Sequence, residues 1–202
     1  SIYAYCAAYN LKALGKLRSS YRTLGHLYTS LGKTKEADEY YQKLMETELQ
    51  ICRQTGTTNK GLLILSISYS ELGDYLASVD KMEEACVYYQ KGLEAAEHIY
   101  GQTGTTEALE DLSISYGRMG VYLKSLGRAE DASVYYQEFV DAREEIYRQT
   151  GTIEELGNLS ACYRRMGEHL ASLGKVEEAD VYYQKSNEAR EQVNAETGTA
   201  ET

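Results

Sequence analysis

The chain has 202 residues and a formal net charge of -10, because 31 acidic side chains outnumber 21 basic ones. This balance argues against nucleic acids and anionic membranes as partners, since both are bound by basic patches. The sequence is 43% hydrophobic and contains no proline. We therefore expect a well-packed protein of helices that end at glycine.

The cysteines predict free thiols. Cys6, Cys52, Cys86 and Cys162 lie far apart, and no two of them form a Cys-x-x-Cys pair. Such usage is typical of a reducing compartment, so a cytoplasmic location is expected. No apolar run approaches the roughly 18 residues needed to span a membrane.

Two sequence markers recur with one period. A Tyr-Tyr-Gln triplet recurs at spacings of 48, 47 and 47 residues and begins at Tyr40, Tyr88, Tyr135 and Tyr182. A Thr-Gly-Thr triplet has the same spacings and begins at Thr55, Thr103, Thr150 and Thr197. Because two independent markers share one register, the chain is predicted to be a repeat protein.

The predicted elements follow in chain order. Residues 1–9 are the remnant of a preceding helix or an extension of the first one. Four repeats then occupy about 10–56, 57–104, 105–151 and 152–198, and residues 199–202 form a tail. The fourth repeat is predicted to be a solvated cap, since Ser186, Asn187 and Asn194 stand where the third has Phe139, Val140 and Tyr147.

Each repeat is predicted to be a pair of helices. In the third repeat, an apolar stripe with steps of three and four residues runs through Leu109, Leu112, Tyr116, Met119, Leu123 and Leu126. A second stripe follows the short turn at Gly127. Neither helix could bury its stripe alone, whereas stacked hairpins bury both. The predicted fold is thus all-α, a single α-solenoid domain of stacked antiparallel helix hairpins over residues 1–202.

The Thr-Gly-Thr triplets allow two interpretations. An anion such as phosphate could bind the amide-rich helix starts at these triplets, but Glu107, Glu154 and Glu155 would repel it. The separate stretch "SLGKT" at 30–34 resembles the end of a nucleotide-binding loop, but it has Leu27 where that loop needs glycine. The alternative is a helix stop followed by a helix start. It predicts a positive φ at Gly56, Gly104 and Gly151, capping by Thr57, Thr105 and Thr152, and a capping box between Thr152 and Glu155.

The repeats resemble the tetratricopeptide repeat. The carrying pattern is Tyr-x2-Leu-Gly-x2-Tyr followed by Ala-x3-aromatic, as in Tyr21, Leu24, Gly25, Tyr28, Ala37 and Tyr41. The three later repeats carry the pattern in register, with Leu in place of the second tyrosine and, in repeats three and four, Met in place of Leu. Tyrosine replaces the usual tryptophan, the terminal proline is absent, and each unit is about 13 residues longer than the usual 34. The resemblance implies a superhelix in which glycine and alanine lie where the helices of a hairpin approach closely.

No catalytic constellation is found. His26, His98 and His169 occupy three different repeat positions, so metal binding is not expected. No cysteine has a base beside it in the sequence, and paired carboxylates such as Glu83 and Glu84 are expected on solvated first turns. The Tyr-Tyr pairs could be a base-stacking platform, but their place in the apolar stripe favours core packing. The protein is predicted to be neither an enzyme nor a cofactor-binding protein.

The resemblance also implies a binding surface. In tetratricopeptide arrays, the first helix of each pair lines a concave groove, and carrying those positions over gives Arg22, His26, Ser70, Asp74, Val121, Lys124, Arg164 and Glu168. Their mixed charge favours a polar peptide or protein segment as ligand.

The leading hypothesis is a noncatalytic scaffold that binds a peptide or protein partner. The alternative is a structural or sensor segment of a larger protein or self-associating assembly. The protein is expected to be a monomer or to self-associate weakly through its N-terminal apolar end.

Overall fold

The computed structural model describes residues 2–55 and 58–198, and their side chains except at 2–9, 55 and 60. These residues form eight α-helices, α1 (Ile2–Ser30), α2 (Thr34–Thr55), α3 (Asn59–Ser78), α4 (Met82–Thr103), α5 (Thr106–Ser125), α6 (Ala129–Thr150), α7 (Ile153–Ser172) and α8 (Val176–Thr197). The fold is all-α and of the α-solenoid class, as predicted. Within the described ranges, no helix is long and apolar enough to cross a membrane.

The chain forms two compact units, residues 1–99 and 100–202. In unit 1, α1 packs against α2, and α2 packs against α3. In unit 2, α5 packs against α6, α6 against α7, and α7 against α8. Each unit therefore contains packing between neighbouring repeats as well as packing within hairpins.

The predicted close approach within each hairpin is confirmed. A Cβ atom at Gly73 of α3 would lie 2.8 Å from Cδ1 and Cε1 of Tyr89 on α4. The equivalent glycines in the other hairpins (Gly25, Gly120 and Gly167) face the equivalent tyrosines (Tyr41, Tyr136 and Tyr183) at 2.8–3.2 Å. Only glycine leaves room for the ring, so this residue pair sets the spacing of the two helices.

The first tyrosine of each Tyr-Tyr pair packs against a tyrosine of the partner helix. The centroids of Tyr21 and Tyr40 are 6.2 Å apart, and the distance is 6.0–6.4 Å in the other three hairpins. The second tyrosine is buried in three of the hairpins, at Tyr41, Tyr89 and Tyr136. Both rings are thus packing residues, and the base-stacking alternative loses its support.

The turn between the two helices of each hairpin contains a residue with the left-handed backbone conformation, which has a positive φ. Gly32, Gly127 and Gly174 have φ of 68°, 73° and 75°, and the equivalent residue Asp80 has φ of 64°. The next residue closes the turn, as Lys81 N donates to Leu76 O at 2.9 Å and Arg128 N to Leu123 O at 2.9 Å. These bonds satisfy carbonyls that the ended helix leaves open.

The turn between hairpins follows the prediction at two of its three places. Gly104 and Gly151 have φ of 59° and 60°. Thr105 Oγ1 accepts from Ala108 N, and Thr152 Oγ1 accepts from Glu155 N, each at 3.3 Å. These residues end one helix and begin the next, so the interpretation as a helix stop followed by a helix start is confirmed at these two places.

The first such turn differs in its register. The predicted Gly56 and Thr57 lie outside the described residues, and the N-cap of α3 is Thr58, whose Oγ1 accepts from Gly61 N at 3.2 Å. The caps Thr58, Thr105 and Thr152 are evenly spaced by 47 residues. The one additional residue of the 48-residue spacing therefore lies in this turn.

Two finer predictions need correction. The carboxylate of Glu155 accepts from Arg143 Nη1 and Asn158 Nδ2, both at 3.1 Å, rather than closing the capping box. Ser186, expected on a solvated face, is buried and donates from Oγ to Ser160 O at 2.9 Å. Glu155 is paired with Arg143, and Ser186 is hydrogen-bonded to α7, so neither side chain has its predicted role.

Candidate functional site

Arg22, a predicted groove residue on α1, is held by its own unit. Its Nε lies 2.8 Å from Glu71 Oε2, and its Nη2 donates to Ser68 Oγ at 3.2 Å. Its side chain remains 31% exposed. The guanidinium therefore joins α1 to α3, and a ligand would have to compete with these partners.

The same cluster contains a buried acid that the sequence did not indicate. Glu48 of α2 is 1% exposed, and its Oε1 accepts from Ser68 Oγ at 3.0 Å. Arg18 Nε and Arg22 Nη2 lie 3.8 and 3.9 Å from the same oxygen. Burial raises the pKa of Glu48, while Ser68 and the two arginines oppose this change. This cluster joins the first two repeats.

The other predicted residues of unit 1 contact tyrosines or are buried. Tyr41 Oη lies 3.3 Å from Nδ1 of the exposed His26, and Tyr89 Oη donates to Asp74 Oδ1 at 2.6 Å. Ser70 is 3% exposed. It packs where Ser66 Oγ donates to Gly92 O at 2.8 Å, a bond that draws α3 and α4 together.

Ser70 must therefore be removed from the predicted groove. Its Oγ would lie 3.1 Å from a Cβ atom at Gly92, so it faces the partner helix of its own hairpin. Gly117, the equivalent residue in α5, faces Phe139 of α6 in the same way. At least one of the two facing residues is glycine in both hairpins, so this position lies between the helices, which the groove assignment overlooked.

The predicted residues of unit 2 are more accessible. Val121 on α5 is 52% exposed, and Lys124 one turn later is half-buried. On α7, the exposed Arg164 donates from Nη1 to Glu168 Oε1 at 2.8 Å. An exposed ion pair four residues apart contributes little stability, so both groups can turn to a ligand at small cost.

One repeat position has a role that the sequence reading missed. Tyr75 of α3 stacks on Tyr41 of α2 with centroids 4.4 Å apart, and donates to Asp38 Oδ1 at 2.7 Å and Thr34 O at 3.0 Å. It joins one repeat to the preceding one. Burial raises the pKa of Tyr75, so the hydroxyl stays protonated and can donate.

His169 holds the same position in α7. Its ring lies 4.6 Å from that of Tyr136, and its Nε2 is 2.8 Å from Ser133 Oγ. Nδ1 is buried, with no hydrogen-bond partner among the described residues. Burial lowers the pKa of His169, and Lys124 lowers it further. The equivalence of Tyr75, Tyr122 and His169 was visible in the aligned repeats and could have revealed this contact.

Unit 2 also has a cleft of about 350 Å³ over α7, between α6 and α8. Its lining includes Leu156, Glu144, Tyr163 and Lys185. Glu144 Oε1 accepts from Tyr163 Oη at 2.8 Å and from Lys185 Nζ at 3.2 Å. None of the predicted groove residues lines this cleft, and Glu144 is already bonded to both Tyr163 and Lys185.

The described side chains could bind a ligand by noncovalent contacts. Burial raises the pKa of the Cys162 thiol to about 12, so it remains protonated at neutral pH. In the described part of the chain, no three His, Cys, Asp or Glu side chains are grouped to hold a metal ion. The accessible groups are therefore the aliphatic and charged side chains of helix surfaces.

Several solved structures are similar to this one, and one of them is a designed helical repeat protein. BtubC (BKLC) from P. vanneervenii matches with a TM-score of 0.54 and 15% identity over 95% of this chain and 86% of that one. The de novo designed helical repeat protein DHR64 matches with a TM-score of 0.54 and 15% identity over 94% of this chain and 98% of that one. TPR-like repeats of a Podosopora anserina putative kinesin light chain match with a TM-score of 0.49 and 15% identity over 93% of this chain and 98% of that one. No curated protein has a significantly similar sequence.

The fold and the packing of its hairpins thus define a helical repeat protein. The family model of the tetratricopeptide repeat matches residues 19–50. These residues contain the Tyr21 to Tyr41 pattern that the three later units repeat in register. The chain therefore contains a tetratricopeptide repeat in its first unit, and its later units share the residue pattern of that repeat. Such repeats support a general role in protein interaction.

Proposed function

We propose that the protein is a noncatalytic scaffold that binds a peptide or protein segment on the exposed side of α5 and α7. One observation carries this proposal. Ile114 and Val121 of α5 are 41% and 52% exposed. They are seven residues, or about two turns, apart, so they lie on one side of the helix. Two exposed apolar side chains on one side of a helix, with charged groups beside them, offer an apolar contact to a ligand.

The charges near these residues favour an acidic ligand. Lys124 follows Val121 by one turn, and Arg164 and Arg165 are exposed on α7. Glu168 balances only Arg164. We expect a ligand segment with an apolar residue flanked by carboxylates, because it would satisfy both the aliphatic pair and the cations.

Unit 1 offers less to such a ligand. Arg22 is bonded to Glu71 and Ser68, Asp74 accepts from Tyr89, and Ser70 is buried. Removing these side chains would disturb packing between helices as well as any ligand contact. The variants that test the proposal therefore belong in unit 2.

The test is a double variant, Val121→Asp with Arg164→Glu. A partner would be captured from a lysate of the source organism and purified, and its affinity for each variant would be measured by isothermal titration calorimetry. We expect the double variant to bind at least about tenfold more weakly, which corresponds to about 1.4 kcal/mol. Val134→Asp is the matched control, since Val134 is 60% exposed on α6. Equal affinity of the double variant and the wild type would refute the assignment.

A structural role is the second candidate, and the exposed side of α1 favours it. Leu17 and Leu27 are 43% and 47% exposed there. A segment of a larger assembly would use such a surface for packing. Light scattering over a concentration series tests self-association, and a strict monomer would count against it.

A further inference from the structure

We propose that the third tyrosine pair, Tyr116 on α5 and Tyr135 on α6, binds the ammonium group of a lysine side chain that a ligand supplies. In the other three hairpins, the chain itself provides this lysine. Tyr116 follows Ile114 by two residues, or about 200° around the helix, so it lies away from the exposed side of α5 described above. This cation site is therefore separate from the peptide-binding surface proposed for α5 and α7.

A lysine lies over the tyrosine pair in each of the other hairpins. In the second hairpin, Lys91 Nζ is 5.8 Å from the ring centroid of Tyr69 and 5.1 Å from that of Tyr88. The corresponding distances are 5.2 Å to one ring in the first hairpin and 5.0 and 5.4 Å in the fourth (Lys43 with Tyr40, and Lys185 with Tyr163 and Tyr182). All of them are within the range of about 6 Å in which a ring face attracts a cation.

The third hairpin has glutamate in place of this lysine. Each lysine follows the first residue of its Tyr-Tyr pair by three positions, and Glu138 stands at that position after Tyr135. Glu138 cannot replace an ammonium group, because the negative faces of aromatic rings repel a carboxylate. It is exposed and makes no hydrogen bond or ion pair with another described residue. Its carboxylate can therefore pair with the cation of a ligand.

The third tyrosine pair nevertheless has the geometry of the pairs that hold a lysine. Its ring centroids are 6.4 Å apart, and its ring planes are inclined at 44°. In the other hairpins, the distances are 6.0–6.2 Å and the angles 36–47°. The packing of the two helices, rather than a lysine, therefore positions these rings. Both rings are half-buried, so a cation from solvent can reach them without a rearrangement of the hairpin.

The charges beside the third tyrosine pair favour a cationic ligand over a neutral one. Glu138 and Asp141 are both exposed and lie one turn apart on α6. In each of the other hairpins, the same two positions hold one lysine and one glutamate (Lys43 and Glu46, Lys91 and Glu94, Lys185 and Glu188). The third hairpin is thus more negative by two charges at this place. We expect the ligand's ammonium group to lie at the rings with Glu138 as its counter-ion.

A small lysine probe tests this site directly. N-acetyl-lysine methylamide carries the ammonium group, and N-acetyl-norleucine methylamide carries the same aliphatic chain without it. Each would be titrated into the whole protein at constant ionic strength, and the ring resonances of Tyr116 and Tyr135 would be followed by NMR after assignment with Tyr→Phe variants. We expect saturable shifts of both rings with the lysine probe alone. The dissociation constant should be about 10 mM, because each contact is weak at an exposed site.

Three substitutions of exposed residues separate the site from the rest of the surface. Glu138→Lys gives the third hairpin the lysine of the other three, so we expect the probe-induced shifts of its two rings to disappear. Glu177→Lys on α8 changes the net charge equally and should leave the shifts as they are in the wild type. Lys91→Glu removes a lysine that the chain provides. It should make Tyr69 and Tyr88 respond to the probe with a similar dissociation constant.

Several results would overturn the proposal. Absence of saturable shifts with the lysine probe is the first. Equal shifts with the norleucine probe are the second, since the aliphatic chain alone would then bind. Undiminished shifts in Glu138→Lys are the third, because the probe would then occupy another place. By contrast, shifts of Tyr116 and Tyr135 that grow with protein concentration in the absence of probe, and that Glu138→Lys abolishes, would support it and identify a lysine of a second copy as the ligand.

Discussion

Gly73→Ala gives the sharpest test of the close approach within a hairpin. The added methyl group would lie 2.8 Å from two carbons of Tyr89, well inside the contact distance of about 3.5–4.0 Å. Tyr89 is buried, and its hydroxyl is bonded to Asp74. The ring therefore cannot move without losing that bond or separating α3 from α4.

The expected magnitude follows from two opposing effects. Overpacking of a well-packed site costs about 1–3 kcal/mol. Replacing glycine by alanine inside a helix contributes about 1 kcal/mol in the other direction. Because the overlap is large and the ring is held, we place the packing cost near the upper end. The net loss in free energy of unfolding is then about 1–2 kcal/mol.

Gly157→Ala is the matched control. Gly157 is inside α7, and no side chain lies within 4 Å of the position that its Cβ would occupy. Only the helix preference applies there, so we expect this variant to be more stable than the wild type by about 0.5–1 kcal/mol. Urea unfolding followed by circular dichroism at 222 nm measures both changes. If Gly73→Ala raises the stability as Gly157→Ala does, the inferred contact with Tyr89 is wrong.

Three further predictions concern turns and contacts between repeats. Asp80→Gly should raise the free energy of unfolding by about 0.5–1 kcal/mol, and with it the urea midpoint, because Asp80 has a positive φ that glycine adopts without strain. The reverse change at the equivalent turn, Gly127→Asp, should lower both. Tyr75→Phe keeps the stacking on Tyr41 but removes the hydroxyl that donates to Asp38 and Thr34, so thermal unfolding should show a loss of about 1 kcal/mol. His169 has a lowered pKa when folded, so its contribution is complete above the unfolded pKa of about 6.5 and is lost as the pH falls through the folded value. Unfolding measured from pH 7 to pH 5.5 should therefore show a stability loss, at most about 1.4 kcal/mol per pH unit for one proton, that is smaller in His169→Tyr; an equal slope in the two proteins would contradict the assignment.

The candidate site was only partly accessible from the sequence. The repeat positions placed Val121, Arg164 and Glu168 on exposed helix surfaces, as the structure has them. The same rule placed Ser70 in the groove, yet it is buried where α3 and α4 approach at Gly92. Whether these residues bind a ligand stays a prediction. The rule treats repeats as identical, whereas the side chain on the facing helix decides what remains exposed.

Local and periodic signals in the sequence specify the helices, most of the turns and the glycine–tyrosine packing within each hairpin. Gly104 and Gly151 end helices because glycine adopts a positive φ readily, which is a local property of the residue. Gly73 contacts Tyr89 because the same glycine and tyrosine positions recur in all four repeats. The partners in the contacts between repeats depend on the three-dimensional packing. Arg22 bonds Glu71, which lies 49 residues later, and His169 takes a tyrosine's place on Tyr136. Contacts such as that of Arg22 join residues that vary from repeat to repeat and are distant in sequence, so no periodic pattern specifies them, whereas the aligned repeats mark the position of His169 but not the ring that it contacts.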